Sequence, residues 1–417
     1  MKTTRKVAAL CAAAVALSLA FAGCKEKDGG SAAGAKGGKG AKAKDGVTMV
    51  KVAGGSYTPS LTFLKKYEKG FLDDKATYKS IGTPKSVTLA DFEIGTTEIT
   101  YKTWYDVKQW AVDEARGDSR YRFITKEKEG SQGKESAEPT ANSNHPVTHI
   151  TMYQAVLWCN ALSEKQGLEP VYYLDGKVLR DEKKLEALGY GEISGPYDQK
   201  GVTAYNYFCE KAGKDASKNY DDENTPTFDD ILQVCSDEVS AFALLKELYP
   251  ESNDFAMKVV EDKSKNGYRL PSWYEWEFAA RGGKPDGYDW DMKFSGSDEG
   301  IAVGYFREEC GWDKELQTMN EYYDNYGTKP VAQKKANALG LYDMSGNVQE
   351  WTSTPIVRFE IKQTSSAYKG ALGISITYRV STGNWYSKPL GITDTSDGNQ
   401  ANGWGTSTGF RVARNAQ

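Results

Sequence analysis

The residues best suited to chemistry are the chain's only two histidines, His145 and His149. Their i, i+4 spacing would place two metal ligands on one face of a helix. Pro146 argues against a helix at this point. On an extended segment, the two side chains would lie about 13 Å apart, which is too far to share an ion. The sequence therefore predicts turn and strand residues here, not a metal centre.

A second candidate for chemistry is the segment from Asp343 to Glu350, where two carboxylates flank a turn around Gly346. Hard cations such as Ca²⁺ require a cage of carboxylate and carbonyl oxygens, which this segment contains. The alternative is a plain turn that leads into a strand, with Trp351 in the core. The sequence offers no Ser-His-Asp set and no glycine loop for phosphate.

The spacing of the six cysteines matches no metal-binding motif. Cys11 and Cys24 lie near the N-terminus, and the other four are widely spaced: Cys159, Cys209, Cys235 and Cys310. Outside the cytoplasm, one or two disulfides are allowed. Cys159 lies on a helical pattern and is predicted to be a buried thiol.

Residues 1–23 have the form of an export signal, with a charged start followed by an apolar run. The run is about 16 residues long and too short to span a bilayer comfortably. It ends in Phe21-Ala-Gly-Cys24, which resembles a lipobox with Cys24 as the acylated residue. The alternative is an ordinary secretory signal with a chance cysteine. We expect an exported protein, held by the lipid on Cys24 to a bacterial membrane, at the outer membrane or cell surface.

Residues 24–46 are rich in Gly, Ala and Lys and are predicted to form a flexible tether. The formal charge of the whole chain is −4. Because the signal and the tether both carry excess cations, the remaining body, residues 47–417, has a charge of about −10. This charge argues against a nucleic-acid partner.

Local patterns place several elements of the body. Capping boxes at Thr151–Gln154 and Ser272–Glu275 predict two helix starts. A stripe of aromatic residues after Thr100 predicts another helix. Residues 176–265 are interpreted as an insertion that decorates the main domain, with helical stretches at Val239–Leu248 and Phe255–Val260.

Six landmarks, in order, resemble the formylglycine-generating-enzyme family, also called the sulfatase-modifying-factor family. Their positions are the Met49 opening strand, Thr97–Thr100, His145–Val147, Tyr268–Gly283, Gly340–Trp351 and Gly409–Arg414. The resemblance covers roughly residues 47 to 414. It implies an α+β, C-type-lectin-like fold with little regular secondary structure.

The resemblance also implies what the site residues would do. Active members bind copper through two cysteines near the C-terminus, yet no cysteine follows Cys310 here. Without thiolates, no copper site of that type is expected, and the oxidase activity is disfavoured. A structural calcium ion is implied at matching positions, through the side chains of Asp343 and Glu350 and the carbonyls of Gly346 and Val348.

A scaffold without its catalytic ligands is interpreted as a non-catalytic binding protein. We expect the binding site in the segment from about 374 to 408, which has the polar and aromatic composition of recognition surfaces. The candidate exposed contacts are Tyr378, Ser381, Asn384, Tyr386, Thr393, Asp394, Asn399, Asn402 and Trp404. The ligand would be a protein or a glycan.

One branch with this fold comprises surface lipoproteins of spirochaetes and others whose C-terminal segment is varied by diversity-generating retroelements. The present chain resembles them, since it ends seven residues after Phe410. The alternative is a structural or assembly component of the cell envelope with a fixed partner. Composition alone would also allow ordinary polar loops in this segment.

Overall fold

The computed structural model describes residues 45–60, 76–80, 84–189, 192–194, 199–217, 226–362, 372–381, 398–399 and 407–417. All of them belong to one compact unit, Gly37–Gln417. The predicted signal, residues 1–23, and the tether as far as residue 44 lie outside the described residues. In the described part of the chain, no helix combines the length and apolar character needed to cross a membrane.

Three helices begin where the local sequence predicts. The α-helices, in chain order, are α1 (Tyr101–Val112), α2 (Met152–Lys165), α3 (Glu182–Glu186), α4 (Gln199–Lys211), α5 (Phe228–Val234), α6 (Glu238–Leu248), α7 (Phe255–Lys258), α8 (Trp273–Ala280) and α9 (Gly300–Val303). Thr151 and Ser272 cap α2 and α8, and in each case the residue at the third helical position returns the hydrogen bond. Thr100 caps α1 by accepting from the Thr103 amide. Short 3₁₀ turns occupy Glu114–Ser119 and Arg307–Glu309.

The strands are short, except for one hairpin. They are β1 (Met49–Val52), β2 (Gly55–Tyr57), β3 (Ala76–Ser80), β4 (Val87–Leu89), β5 (Phe92–Gly95), β6 (Lys128–Glu129), β7 (Val147–Thr148), β8 (Tyr172–Leu174), β9 (Lys177–Val178), β10 (Glu192–Ser194), β11 (Val259–Glu261), β12 (Trp312–Asp313), β13 (Thr318–Met319), β14 (Gln349–Lys362), β15 (Leu372–Val380), β16 (Gly398–Asn399), β17 (Thr408–Gly409) and β18 (Ala413–Asn415). Helices and mostly antiparallel sheets are mixed, which confirms the predicted α+β class.

Two sheets organise the domain. In the first, β5 lies between β1 and β18, so it joins the start of the domain to its end. In the second, the antiparallel hairpin β14–β15 is flanked by β3, β10 and β17, and β16 pairs with β15. β17 runs parallel to the start of β14, with Gln349 opposite Thr408. The described ends of the C-terminal segment are therefore both fixed to β14.

The core is built around aromatic side chains. Trp104 of α1 and Trp158 of α2 stack with ring centroids 5.9 Å apart, and Phe410 packs edge-on against both. A second cluster surrounds Trp273 and Trp276 of α8. Trp351 is fully buried.

The interpretation of residues 176–265 as a decoration is wrong. β11 pairs with β8, which lies outside this range. Leu185, Phe208 and Leu245 belong to the same buried cluster as Trp104 and Trp158. The segment therefore completes the main core. The predicted helix at Phe255–Val260 stops at Lys258, because Val259 and Val260 enter strand β11, where β-branched residues are favoured.

Candidate functional site

An ion pair between Arg411 and Glu350 lies in the interior of the domain. Both side chains are buried. Arg411 donates from Nε to Glu350 Oε2 at 2.7 Å and from Nη2 to Oε1 at 2.6 Å. Trp276 Nε1 donates a third hydrogen bond to Glu350 Oε2 at 2.9 Å. The guanidinium also reaches the carbonyls of Gly95 and Tyr342, so it links the first sheet to the turn before β14.

The turn from Asp343 to Asn347 requires unusual backbone angles. Asp343 and Asn347 have φ values of 56° and 53°, and Gly346 has 86°. A Cβ at Gly346 would lie 2.5 Å from the carbonyl oxygen of Tyr305, so only glycine fits there. Asp and Asn are the side chains that best tolerate the left-handed region.

Glu98 holds this turn from the opposite side of the core. Its Oε2 accepts from Asn347 Nδ2 at 2.7 Å, and its Oε1 accepts from the Val348 amide at 3.1 Å. Glu98 is almost completely buried. The sequence pattern predicted no role for this residue, because its partners lie about 250 residues further along the chain.

The site contains more buried negative charge than positive charge. Glu98, Asp343 and Glu350 interact with a single guanidinium, that of Arg411. Burial raises the pKa of Glu98 well above its ordinary value, and Asp343 and Glu350 add to the effect. Burial also raises the pKa of the Asp343 carboxyl to about 6. Burial therefore outweighs the attraction of Arg411 for the Asp343 carboxylate.

Asp343 has one oxygen that suits a cation. Its Oδ2 accepts from the Ala332 amide at 2.7 Å, whereas its buried Oδ1 has no hydrogen-bond partner in the described residues. Glu350 already accepts three hydrogen bonds of the roughly four that a carboxylate can take. The Oδ1 of Asp343 and one lone pair on Glu350 therefore remain available to a cation. Within the described ranges, no cluster of three His, Cys, Asp or Glu side chains could hold a metal ion. The predicted calcium ligands are of a different kind, because they combine two carboxylates with two backbone carbonyls.

Three of the predicted contacts, Tyr378, Ser381 and Asn399, lie among the described residues, and the first two are buried. Tyr378 is 7% exposed, and its ring centroid lies 5.7 Å from that of Phe255. Ser381 is 3% exposed, and its Oγ accepts from the Glu350 amide at 2.8 Å. The predicted exposure of these two residues is wrong. Tyr378 shares the inward face of β15 with Ile376, and Ser381 pairs with β14.

Of the other predicted contacts, one lies among the described residues. Asn399 lies in β16, where its backbone is opposite Tyr378. The remaining ones lie outside the described residues: Asn384, Tyr386, Thr393, Asp394, Asn402 and Trp404. Their roles stay predictions.

The four cysteines of the described domain are separate buried thiols. In the described part of the chain, Cys159, Cys209, Cys235 and Cys310 form no disulfide. Burial raises the pKa of Cys159 well above its ordinary value and raises that of Cys310 to about 12. Thiols in this state are poor nucleophiles and poor metal ligands. Cys159 is buried on α2, as predicted.

The two histidines have different partners. His145 Nδ1 lies 3.1 Å from Thr328 Oγ1, whereas His149 Nδ1 lies 3.2 Å from Thr148 Oγ1. Burial lowers the pKa of each imidazole to about 4. Both imidazoles are neutral at pH 7. His145 and His149 flank the short strand β7, which agrees with the prediction of turn and strand residues.

Sequence reasoning missed a groove beside α6. Its volume is about 1060 Å³, and β4, α6 and the start of α8 contribute to its lining. The available signal in the sequence was Val239, an apolar residue two positions after Asp237, the N-cap of α6. The Val239 side chain is 53% exposed. Exposed apolar residues at a concave site indicate a binding surface.

Comparison with known proteins identifies the family. Residues 37–416 match the sulfatase-modifying factor enzyme 1-like domain. The chain belongs to this family. This confirms the resemblance and the fold that it implies.

Individual relatives in the family carry different names. The chain is similar to Chaperone protein LppX of Paenibacillus barcinonensis, with 27% identity over 349 residues, which cover 81% of this chain and 85% of that protein. It is 39% identical to the formylglycine-generating enzyme of Mycobacterium tuberculosis over 89 residues, which cover 21% of this chain and 27% of that enzyme. Among solved structures, it is similar to Treponema denticola variable protein 1, with 19% identity, a TM-score of 0.44 and coverage of 89% of this chain and 95% of that chain.

Proposed function

We propose that this chain is an exported, lipid-anchored, non-catalytic member of the family that binds a protein ligand. One observation carries the non-catalytic part. The four cysteines after Cys24 are buried, burial raises the pKa of each thiol, and no cysteine follows Cys310. A Cu(I) site needs soft thiolate ligands, which buried, protonated thiols supply poorly.

The non-catalytic proposal has a direct test. The purified chain is incubated with copper, oxygen and a cysteine-containing sulfatase peptide, and the peptide mass is followed. We expect no conversion of the peptide cysteine to formylglycine. Conversion at a rate above the protein-free control would contradict the proposal.

The proposed ligand surface is the C-terminal segment from about 374 to 408 without its buried residues, which include Tyr378 and Ser381. Support comes from the way its described ends are held. Tyr378 and Ser381 fix one end in the core, and Thr408 and Phe410 fix the other. Side chains between these anchors could change without altering the core contacts named above, which is the property that a variable binding segment requires.

Retroelement-driven variation gives this proposal a genetic test. The 3′ end of the gene is compared across isolates, together with the flanking DNA. We expect substitutions at Asn384, Tyr386 and Asn402, but not at Tyr378 and Ser381, and a near-copy template that differs chiefly at adenines. Frequent variation at Tyr378 or Ser381 would contradict the assignment of the buried anchors.

A second candidate is an assembly factor of the cell envelope with a fixed partner. It is favoured by the similarity to Chaperone protein LppX over 81% of this chain. An invariant C-terminal segment with no template would support this version. A protein ligand is common to both versions, and it distinguishes them from a glycan-binding protein.

Structural calcium is part of the proposal. The unpartnered Oδ1 of Asp343 and the surplus of buried carboxylates support a cation held by Asp343, Glu350 and the carbonyls of Gly346 and Val348. Calcium would supply positive charge to the turn and take no part in a reaction. No copper is expected.

A further inference from the structure

A groove on the surface of the domain has two walls of different origin. One wall is β4 with its flanking residues, and the other is the first two turns of α6, which belongs to the 176–265 segment. The floor comes from the start of α8 and from β14, including Tyr274 and Pro355. A volume of about 1060 Å³ lies at the upper end of the range for sites that hold drug-sized molecules. The groove is therefore large enough for a short stretch of polypeptide.

The walls expose apolar side chains to the groove. Val239 is 53% exposed although it lies in the first turn of a helix that packs on the core. Phe242, one turn further along, is only partly buried, and Val87 and Leu89 are partly buried on the opposite wall. Facing apolar surfaces of this kind gain free energy when a ligand removes them from water.

The lining is also acidic. Its carboxylates are Asp91, Asp237, Glu238, Glu261 and Glu275, and its cations are Lys263 and Arg269. Arg269 is already engaged, because it donates to both oxygens of Glu275 at 2.7 Å and to Asn415. Five carboxylates against two cations leave the lining with a formal excess of three negative charges.

Glu261 has capacity for an incoming cation. Its buried Oε1 has no hydrogen-bond partner in the described residues, and the nearest cationic atom, Arg269 Nε, lies 4.0 Å away. Asp237 is partly buried at the rim, where it caps α6. A ligand that brings Lys or Arg side chains would find complementary charge at the rim and at the floor.

The backbone of one wall suits an extended ligand. In the described part of the chain, β4 pairs with β2 and with no other strand. A peptide in the groove could add to β4 through main-chain hydrogen bonds and place alternate side chains toward the apolar walls. Binding of this kind selects for the alternation of side chains along the ligand more than for one particular sequence.

We propose that this groove binds an extended segment of a partner protein in which apolar side chains alternate with lysine or arginine. The inference deepens the proposed function, on which it rests, by assigning a second contact surface and the chemistry of the segment that it takes. A second copy of this chain is a poor occupant, since a body with a charge of about −10 would approach an acidic groove. The chemistry of the lining instead fits a basic, amphipathic strand.

The test uses two fluorescent eight-residue peptides, one alternating leucine with lysine and the other alternating leucine with glutamate. Affinity for the full chain is measured by anisotropy at low and at physiological salt. We expect the lysine peptide to bind at least tenfold more tightly than the glutamate peptide. Equal binding of the two peptides, or no binding of either one at millimolar protein, would overturn the proposal.

Matched variants locate the binding. Val239→Arg places a cation in the groove, and Val260→Arg is the control, because Val260 is similarly exposed at 55% but does not line the groove. We expect Val239→Arg to weaken the lysine peptide at least tenfold and Val260→Arg to leave it within twofold. If Val239→Arg lowers the melting temperature, Val239→Ser replaces it, with an expected loss of at least threefold. Equal affinities in the groove and control variants would refute the location.

The proposed function can survive the failure of this inference. The full chain is also tested for suppressing the aggregation of a reduced, unfolded exported protein. Suppression by wild type and by Val239→Arg alike would keep the protein-binding function and remove the groove from it. Suppression that is lost in Val239→Arg and kept in Val260→Arg would support both.

Discussion

The Asp343→Asn substitution tests whether the turn before β14 stores uncompensated negative charge. The pKa of this carboxyl is about 6 in the folded chain, against an ordinary value of about 3.9. As pH rises from 4 to 6, the unfolded chain ionises at this position and the folded chain does not. Stability from this group is therefore complete below pH 4 and is lost as pH rises toward 7. A shift of about two pKa units corresponds to about 3 kcal/mol.

Asparagine suits this position because it keeps the side-chain shape and tolerates the φ of 56°. The assay is urea unfolding of wild type and variant at several pH values between 4 and 8, with EDTA present. Other groups titrate in this range, including Glu182, whose pKa burial raises to about 7, and the two histidines. The wild-type free energy of unfolding minus that of the variant removes these shared contributions.

We expect this difference to fall by about 3 kcal/mol between pH 4 and pH 7 without calcium. Saturating calcium should reverse this loss of wild-type stability at pH 7. A ligand that binds only the folded chain stabilises that chain by about 2.7 kcal/mol at a hundredfold excess over the dissociation constant. A difference that does not change with pH would refute the charge surplus. A wild-type melting temperature that calcium leaves unchanged would refute the metal site.

Three further substitutions test the core, a helix start and the anchor. Arg411→Met leaves the buried Glu350 carboxylate without its cation and should lower the free energy of unfolding by about 3 to 5 kcal/mol. In a double-mutant cycle, adding Glu350→Gln to Arg411→Met should recover part of that loss. Thr151→Ala removes the capping box of α2 and should cost about 1 kcal/mol, measured by urea unfolding. Cys24→Ser should move the expressed protein from the membrane fraction to the soluble exported fraction, and an unchanged distribution would contradict lipid anchoring.

Local signals were sufficient to predict the helix starts. Thr151 and Ser272 each form a hydrogen-bonded box with a residue three positions later, so the information lies within four residues. The aromatic stripe after Thr100 likewise encodes which face of α1 is buried. The family landmarks then gave the fold, because they retain the order of these local elements.

Contacts between distant segments could not be predicted in the same way. Glu98 supports a turn about 250 residues away, and nothing near Glu98 in the sequence marks this role. Tyr378 is of a residue type that is common at recognition surfaces, but α7 places Phe255 against its ring. Burial of a polar or aromatic residue depends on which element covers it, and that element comes here from the segment interpreted as a decoration.

The 176–265 segment thus has two physical roles that cannot be separated by deletion. Leu185, Phe208 and Leu245 complete the main core, so removing the segment would expose the aromatic cluster around Trp158 and unfold the domain. The same segment supplies the α6 wall of the groove. A deletion that abolished binding would therefore show only that the fold was lost. Exposed single substitutions such as Val239→Arg change the groove while the core remains intact, and they alone can assign binding to this surface.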